Sequence, residues 1–215
     1  MFTAVQQKLQ SPRAQLPQIG RRSPVMRGYT LLELLVTMAI IAIIASLSGP
    51  SFMDMISRNR QSSALGSMFT MLSTARSEAV NLQTTVSACS SSDQTTCNTD
   101  NWESGWLVFV DDGTGTGGVA NDGNVNGTEQ MIRVGQAAGG SLTIRSRNFT
   151  DAGAVSFDDD GMSSDRGTLV LCSDGDASRS SAVILNFSGQ ARLAGDDDAN
   201  GTLDEDDGTE ISACP

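Results

Sequence analysis

Between Leu31 and Leu47 the chain is almost unbroken apolar sequence, interrupted only by Glu33, Thr37 and Ser46. A run of this length can cross a bilayer as a helix. Arg21, Arg22 and Arg27 precede it, which predicts that the N-terminus stays on the cytoplasmic side. A carboxylate inside such a run costs a few kcal/mol, on the order of 3, so Glu33 is a functional residue by default. A cleavable secretory signal is the rival reading. Against it stand the length of the run, the tolerated acid, and a helical pattern that continues beyond Ser48.

Charge divides the sequence in the same place. Residues 1–28 hold five cations and no acid. The rest carries 9 arginines against all 25 acids, a formal charge of −16. A basic flank followed by an acidic body fits a membrane-anchored exported domain and disfavours unselective binding to nucleic acid. There is no histidine, which excludes His-based catalytic triads and His-ligated metal centres. The acid pairs Asp111-Asp112 and Asp158-Asp159-Asp160 sit beside glycine and read as turns, so no enzymatic site is expected.

Past the run, Gly49-Pro50 predicts a kink that does not end the helix. Phe52, Met55, Ile56, Leu65, Met68, Phe69, Leu72, Ala75, Ala79 and Leu82 then recur at three- and four-residue steps, one apolar stripe of an amphipathic helix. Residues 58–62 interrupt that stripe and read as a solvated turn. Beyond Leu82, short β-rich segments alternate with Gly/Asp turns: 84–89, 105–110, 129–134, 142–147, 154–157, 168–172 and 182–193. The expected fold class is α+β, a long N-terminal helix packed on an antiparallel sheet or sandwich body. Its parts are a basic leader (1–28), a transmembrane helix (29–49), its amphipathic continuation (50–82) and a β-rich head domain (83–215).

Four cysteines in an exported domain suggest two disulfides, and three pairings are open. Cys89–Cys97 is the natural local bridge, and Cys172–Cys214 would then tie the tail to the body. Trp102 and Trp106 read as core aromatics, with a binding surface as the weaker alternative. Asp196, Asp198, Asn200, Gly201, Asp204 and Asp207 have the spacing of an EF-hand-type calcium loop, with Asp where the bidentate Glu is usual. The competing reading is a solvated acidic loop. Asp122, Asn124 and Asn126 are a partial echo. Calcium is the one cofactor the sequence suggests.

Gly28-Tyr29-Thr30-Leu31-Leu32-Glu33, continuing to Pro50, resembles the class III signal of type IV pilins and type II secretion pseudopilins. That resemblance implies a pilin-like fold and cleavage after Gly28 by a prepilin peptidase. It also implies N-methylation of Tyr29 and a role for Glu33, with Pro50, in subunit assembly. Tyr29 stands where Phe is usual, and the leader is longer than typical. The body segments Val86–Ser90, Trp102–Asp111, Met131–Arg133 and Val183–Arg192 are similar to the GspH/FimT branch. The implied role is a minor pilin or pseudopilin that starts or caps a filament at the inner membrane. Its head would face the periplasm, and its partners would be other pilins, the peptidase and membrane lipid. Some FimT-like pilins bind DNA through Gly-Arg-x-Arg; here the matching stretch is Gly189-Gln190-Ala191-Arg192, with one arginine missing. Arg145, Arg147 and Arg192 are the candidate basic patch. The remaining alternative is a calcium-binding anchored surface protein unconnected to a filament.

Overall fold

A computed structural model describes residues 28–98, 100–205 and 208–214, without the side chains of 47–51. One long helix, α1, runs from Leu31 to Leu82 and is followed by eight strands. Thr30 starts the helix: its Oγ1 accepts the Glu33 N–H at 3.2 Å and its carbonyl accepts Leu34 N–H. The far end closes as a Schellman turn. Gln83 adopts φ 53°, and the Thr84 N–H returns to the Ala79 carbonyl at 3.3 Å. Glycine is usual at that left-handed position, so the stop is carried by backbone bonds and a change of pattern rather than by a glycine signal.

The chain divides into two units, one ending at Leu47 and the other beginning at Ser48. In the second unit the strands form two antiparallel sheets. β1 (Val86–Ser90), β2 (Trp106–Val110), β3 (Met131–Gly135) and β5 (Ala154–Phe157) lie in the order β3-β2-β1-β5. β4 (Leu142–Arg147), β6 (Gly167–Ser173), β7 (Asp176–Leu185) and β8 (Ala191–Leu193) lie in the order β4-β6-β7-β8. The principal core joins one stripe of α1 (Ala64, Met68, Met71, Leu72, Ala75, Ala79) to one face of both sheets, through residues such as Val108, Phe157, Leu171 and Leu185. Each fully buried Leu or Met there contributes about 1.5–3 kcal/mol.

The strands β1, β2 and β6 are buried on both faces rather than alternating. The reason is that loops cover the outer faces, and each cover is stapled. Cys97, Val125 and Met131 pack on Cys89, Leu107 and Phe109 of the first sheet. Ile211, Leu203 and Cys214 pack with Val170, Cys172 and Ala182 of the second. The two disulfides, Cys89–Cys97 and Cys172–Cys214, sit within these two outer clusters.

Three sequence expectations are corrected. Residues 58–62 are helical, because this is where α1 docks on β7. Gln61 is buried and donates to the Arg179 carbonyl and to Ser181 Oγ, while Ser57 Oγ meets Ser173 Oγ at 2.8 Å. The single strand expected over 182–193 is a hairpin of β7 and β8, turned by residues 186–190 with Gly189 at φ 72°. β7 also begins six residues earlier than expected, after a two-residue Asp174-Gly175 turn in which both residues have positive φ. The helix continues through residues 49–50.

Candidate functional site

The head of α1 offers its whole surface. Tyr29 is 84% exposed and Leu31 78%, and every large apolar side chain from Leu32 to Ile44 is exposed by half or more. Among the described residues nothing lies within 4 Å of where a Gly28 side chain would begin. Thr30 and Glu33 stand in capping-box positions, and the Glu33 carboxylate sits in the first turn, where helix N–H groups favour negative charge. An exposed carboxylate there can receive an amine from another chain. Among the described residues no helix is long and apolar enough to cross a membrane. The apolar run extends into residues 47–51, whose side chains, Pro50's included, lie outside the description. So does the expected leader, apart from Gly28.

In the body the candidate basic patch separates. Arg145 pairs with Glu103, and Arg147 Nε lies 3.1 Å from Glu205, which is 2% exposed. Arg192 is on β8, at the opposite edge of the sheet from β4. The three therefore form no single basic surface. Trp102 and Trp106 are core residues, donating to the Ala152 carbonyl (3.0 Å) and to Ser67 Oγ (3.2 Å). The glutamate partners were not legible from sequence, since Glu103 and Glu205 lie 42 and 58 positions from the arginines they meet.

Of the proposed calcium ligands, Asp196, Asp198 and Asp204 bring carboxylate oxygens within 4.8 Å of one another. The Asn200 N–H donates to Asp196 and Asp198, and the Gly201 N–H to Asp196 at 2.8 Å. Asn200 Oδ1 accepts the Thr202 N–H, and its Nδ2 reaches Asp198 and Glu210. Asp207 lies outside the described residues. Glu210 is an acid that the twelve-residue spacing could not reveal. It joins the cluster because Asp204 and Glu210 form a bridge that folds the loop back. The set is all hard oxygen, the donor type calcium takes.

The echo at Asp122, Asn124 and Asn126 is closed by its own bonds. Asn126 Nδ2 donates to Asp122, and Asn126 Oδ1 accepts Val119 N–H. Two buried acids hold this loop on the sheet. Asp111 accepts from Ser87 Oγ (2.7 Å) and the Gly123 N–H, and Glu129 accepts the N–H groups of Gly113 and Asn126. Burial raises the Glu129 pKa, with the charges of Asp111 and Asp122 adding to it and the two N–H bonds opposing. Asp112, by contrast, is lowered by its bonds from Thr114.

Residues 64–189 match the family model described as type II transport protein GspH. Residues 25–49 match that of the prokaryotic N-terminal methylation motif, the sequence of a pilin-type inner-membrane anchor. Among solved structures the chain is similar to the type IV minor pilin FimU of Pseudomonas aeruginosa (strain PAO1). In the P21 crystal form the identity is 20%, over 64% of this chain and 90% of that one, with a TM-score of 0.50. The P65 form gives 20%, 62%, 92% and 0.46. No curated protein matches the chain. The first likeness supports the pilin-like fold, an N-terminal helix packed on antiparallel sheets.

Proposed function

The chain belongs to the GspH family of type II transport proteins, minor pseudopilins and pilins, and from that premise we propose that it helps initiate or cap a filament at the inner membrane. The family and the fold are those of structural subunits. The observation that carries the assembly role is the head of α1: an exposed apolar helix whose first turn holds one acid, Glu33, beside an accessible Gly28-Tyr29 junction. Cleavage after Gly28 would create an amine at Tyr29. In lipid that amine and the Glu33 carboxylate are each costly alone and much less so as a pair between subunits. The body then lies on the periplasmic side, consistent with its two disulfides and its acidity. The filament belongs to a type II secretion pseudopilus or a type IV pilus.

The test is incorporation. Glu33→Ala should be processed and methylated normally, giving a mass that starts at N-methyl-Tyr29, yet be depleted from sheared filaments. Normal incorporation of that variant would refute the role and favour an anchored surface protein.

A second reading has its own observation, the convergence of Asp196, Asp198 and Asp204. In it the loop binds calcium and stiffens the tail ahead of Cys214. Calcium at 100 times its dissociation constant should stabilise the body by about 2.7 kcal/mol. An unchanged melting temperature in millimolar Ca²⁺ and in chelator would leave the loop as a solvated acidic turn.

A further inference from the structure

The body has four sheet edges, and they are finished differently. On β4 the outward N–H groups of Ile144 and Ser146 are taken by the side chains of Glu103 (3.1 Å) and Asp100 (2.6 Å). On β5 the returning loop covers the edge: Ser164 N–H bonds the Ser156 carbonyl, and Phe157 bridges to Ser163. Pairing between β2 and β3 is broken by a bulge at Val108 and Phe109. These are the usual devices that stop a strand edge from recruiting another chain.

β8 has none of these three. Its register is fixed by Asn186 N–H to the Gln190 carbonyl and Ala194 N–H to the Ala182 carbonyl. Gln190, Arg192 and Ala194 are therefore the residues whose backbone groups face β7, and those of Ala191 and Leu193 point outward. Among the described residues nothing pairs with Ala191 or Leu193 there. Their side chains share the face of Val183 and Leu185, which looks into the principal core toward α1; the Arg192 side chain points the other way.

At Ala191 that outward edge opens on a groove of about 470 Å³ between β8 and α1. Ser73, Ser77 and Asn81 line its helix side at four-residue steps, with Gly189 and Ala191 opposite. On a helix such steps rise about 6 Å. A strand repeats every two residues over about 6.6 Å, so the polar side chains meet a strand's backbone period closely. Val80, about half exposed, supplies apolar surface in the groove beside Arg76.

We propose that this groove receives an extended segment of a neighbouring filament subunit, which adds to β8 as a further strand with small side chains turned toward α1. The occupant's chemistry follows from what is unmet: outward backbone groups at alternate residues, which a strand satisfies and a helix or a lipid does not. The inference rests on the filament reading above.

Two variants and one probe test it. Leu193→Pro removes an outward N–H and leaves the Ala194 bond to β7. Ser77→Trp fills the groove from the helix without touching β8. Both should keep the wild-type melting temperature and lose incorporation into filaments by about tenfold, the scale of one or two interfacial hydrogen bonds. Should Leu193→Pro lower the melting temperature, Ser77→Trp decides alone. A photoreactive benzoylphenylalanine at position 193 of the full chain should cross-link within filaments to alternate residues of one extended segment. Wild-type incorporation of Ser77→Trp, or cross-links confined to a neighbour's helix, overturns the proposal. Glu33→Ala separates the two failures. If it blocks incorporation while Ser77→Trp does not, the strand site alone is wrong; if Glu33→Ala incorporates normally, the filament reading falls and takes the site with it.

Discussion

The residues of α1 before Leu47 and those after Gln61 both draw on Leu, Met and Ala, yet they live in opposite surroundings. In the first stretch apolar side chains point in every direction and all are exposed. In the second, one stripe from Ala64 to Ala79 is buried to within a few per cent, and the other faces carry Ser, Thr, Arg and Glu. A helix that is apolar all round needs an apolar environment on every side, while one with a stripe needs a single partner. The difference teaches that the body is completed by its own chain and the head is not. The largest predicted effect tests this directly. Ala75→Asp puts an unpaired charge where nothing is exposed and should cost more than about 3 kcal/mol, enough to unfold the body. Leu35→Asp should leave the body's melting within about 0.5 kcal/mol of wild type while abolishing membrane retention. Thermal unfolding of the detergent-extracted chain, followed by near-ultraviolet circular dichroism, measures both. Equal destabilisation by the two would erase the distinction.

The next effect distinguishes the covers of the two sheets. Cys89 and Cys97 are 8 residues apart, Cys172 and Cys214 are 42. In the loop-entropy description the longer closure contributes about 4 kcal/mol and the shorter about 2.5. Replacing Cys172 and Cys214 by Ser should therefore lower the body's melting temperature more than replacing Cys89 and Cys97, with the head unaffected. The opposite order would mean that the tail's apolar contacts through Ile211, rather than the crosslink, hold the second cover.

What could be read in advance follows the same division. The ends of the helix were legible because their signals are local, an apolar run, a stripe at helical steps and then a switch to strand pattern after Leu82; its middle at residues 58–62 was not, because docking on β7 keeps it helical. Six of the seven strand segments match observed strands to within two residues at each end, since Val/Ile/Phe clusters mark them. The hairpin of β7 and β8 reads as one strand in the sequence because Val183–Leu185 and Ala191–Leu193 are both apolar and only the short Asn186 to Gly189 turn separates them. The polar start of β7, residues 176–181, carries no apolar alternation at all. In the candidate sites, Gly28 and Glu33 stood out through the resemblance of residues 28–50 to a pilin signal, and the acidic loop by its spacing. Gln61, Glu103, Glu205 and Glu210 did not, because their meaning comes from residues distant in sequence that only folding brings near.

The smallest predicted effect separates the body from the head by pH. Glu129 is buried against β2 and its pKa is raised by that burial, so the folded body binds its proton more tightly than the unfolded chain does. Such a group contributes stability when protonated and loses it as pH rises through the raised value. Lowering pH from 7 to 5 should therefore slightly increase the body's stability. Asp112 and Asp176 are shifted the other way by hydrogen bonds from Thr114 and Ser178. Their contributions are present above the ordinary carboxylate value and are lost only below it, so they add no slope in this window. The chain also lacks histidine, whose titration would otherwise dominate between pH 5 and 7. Glu129→Gln should flatten the dependence and also lower stability, because one amide face cannot accept both the Gly113 and the Asn126 N–H. Melting temperatures of the two proteins across that range decide the matter. An identical slope in the variant would assign the effect to relief of the body's general negative charge instead.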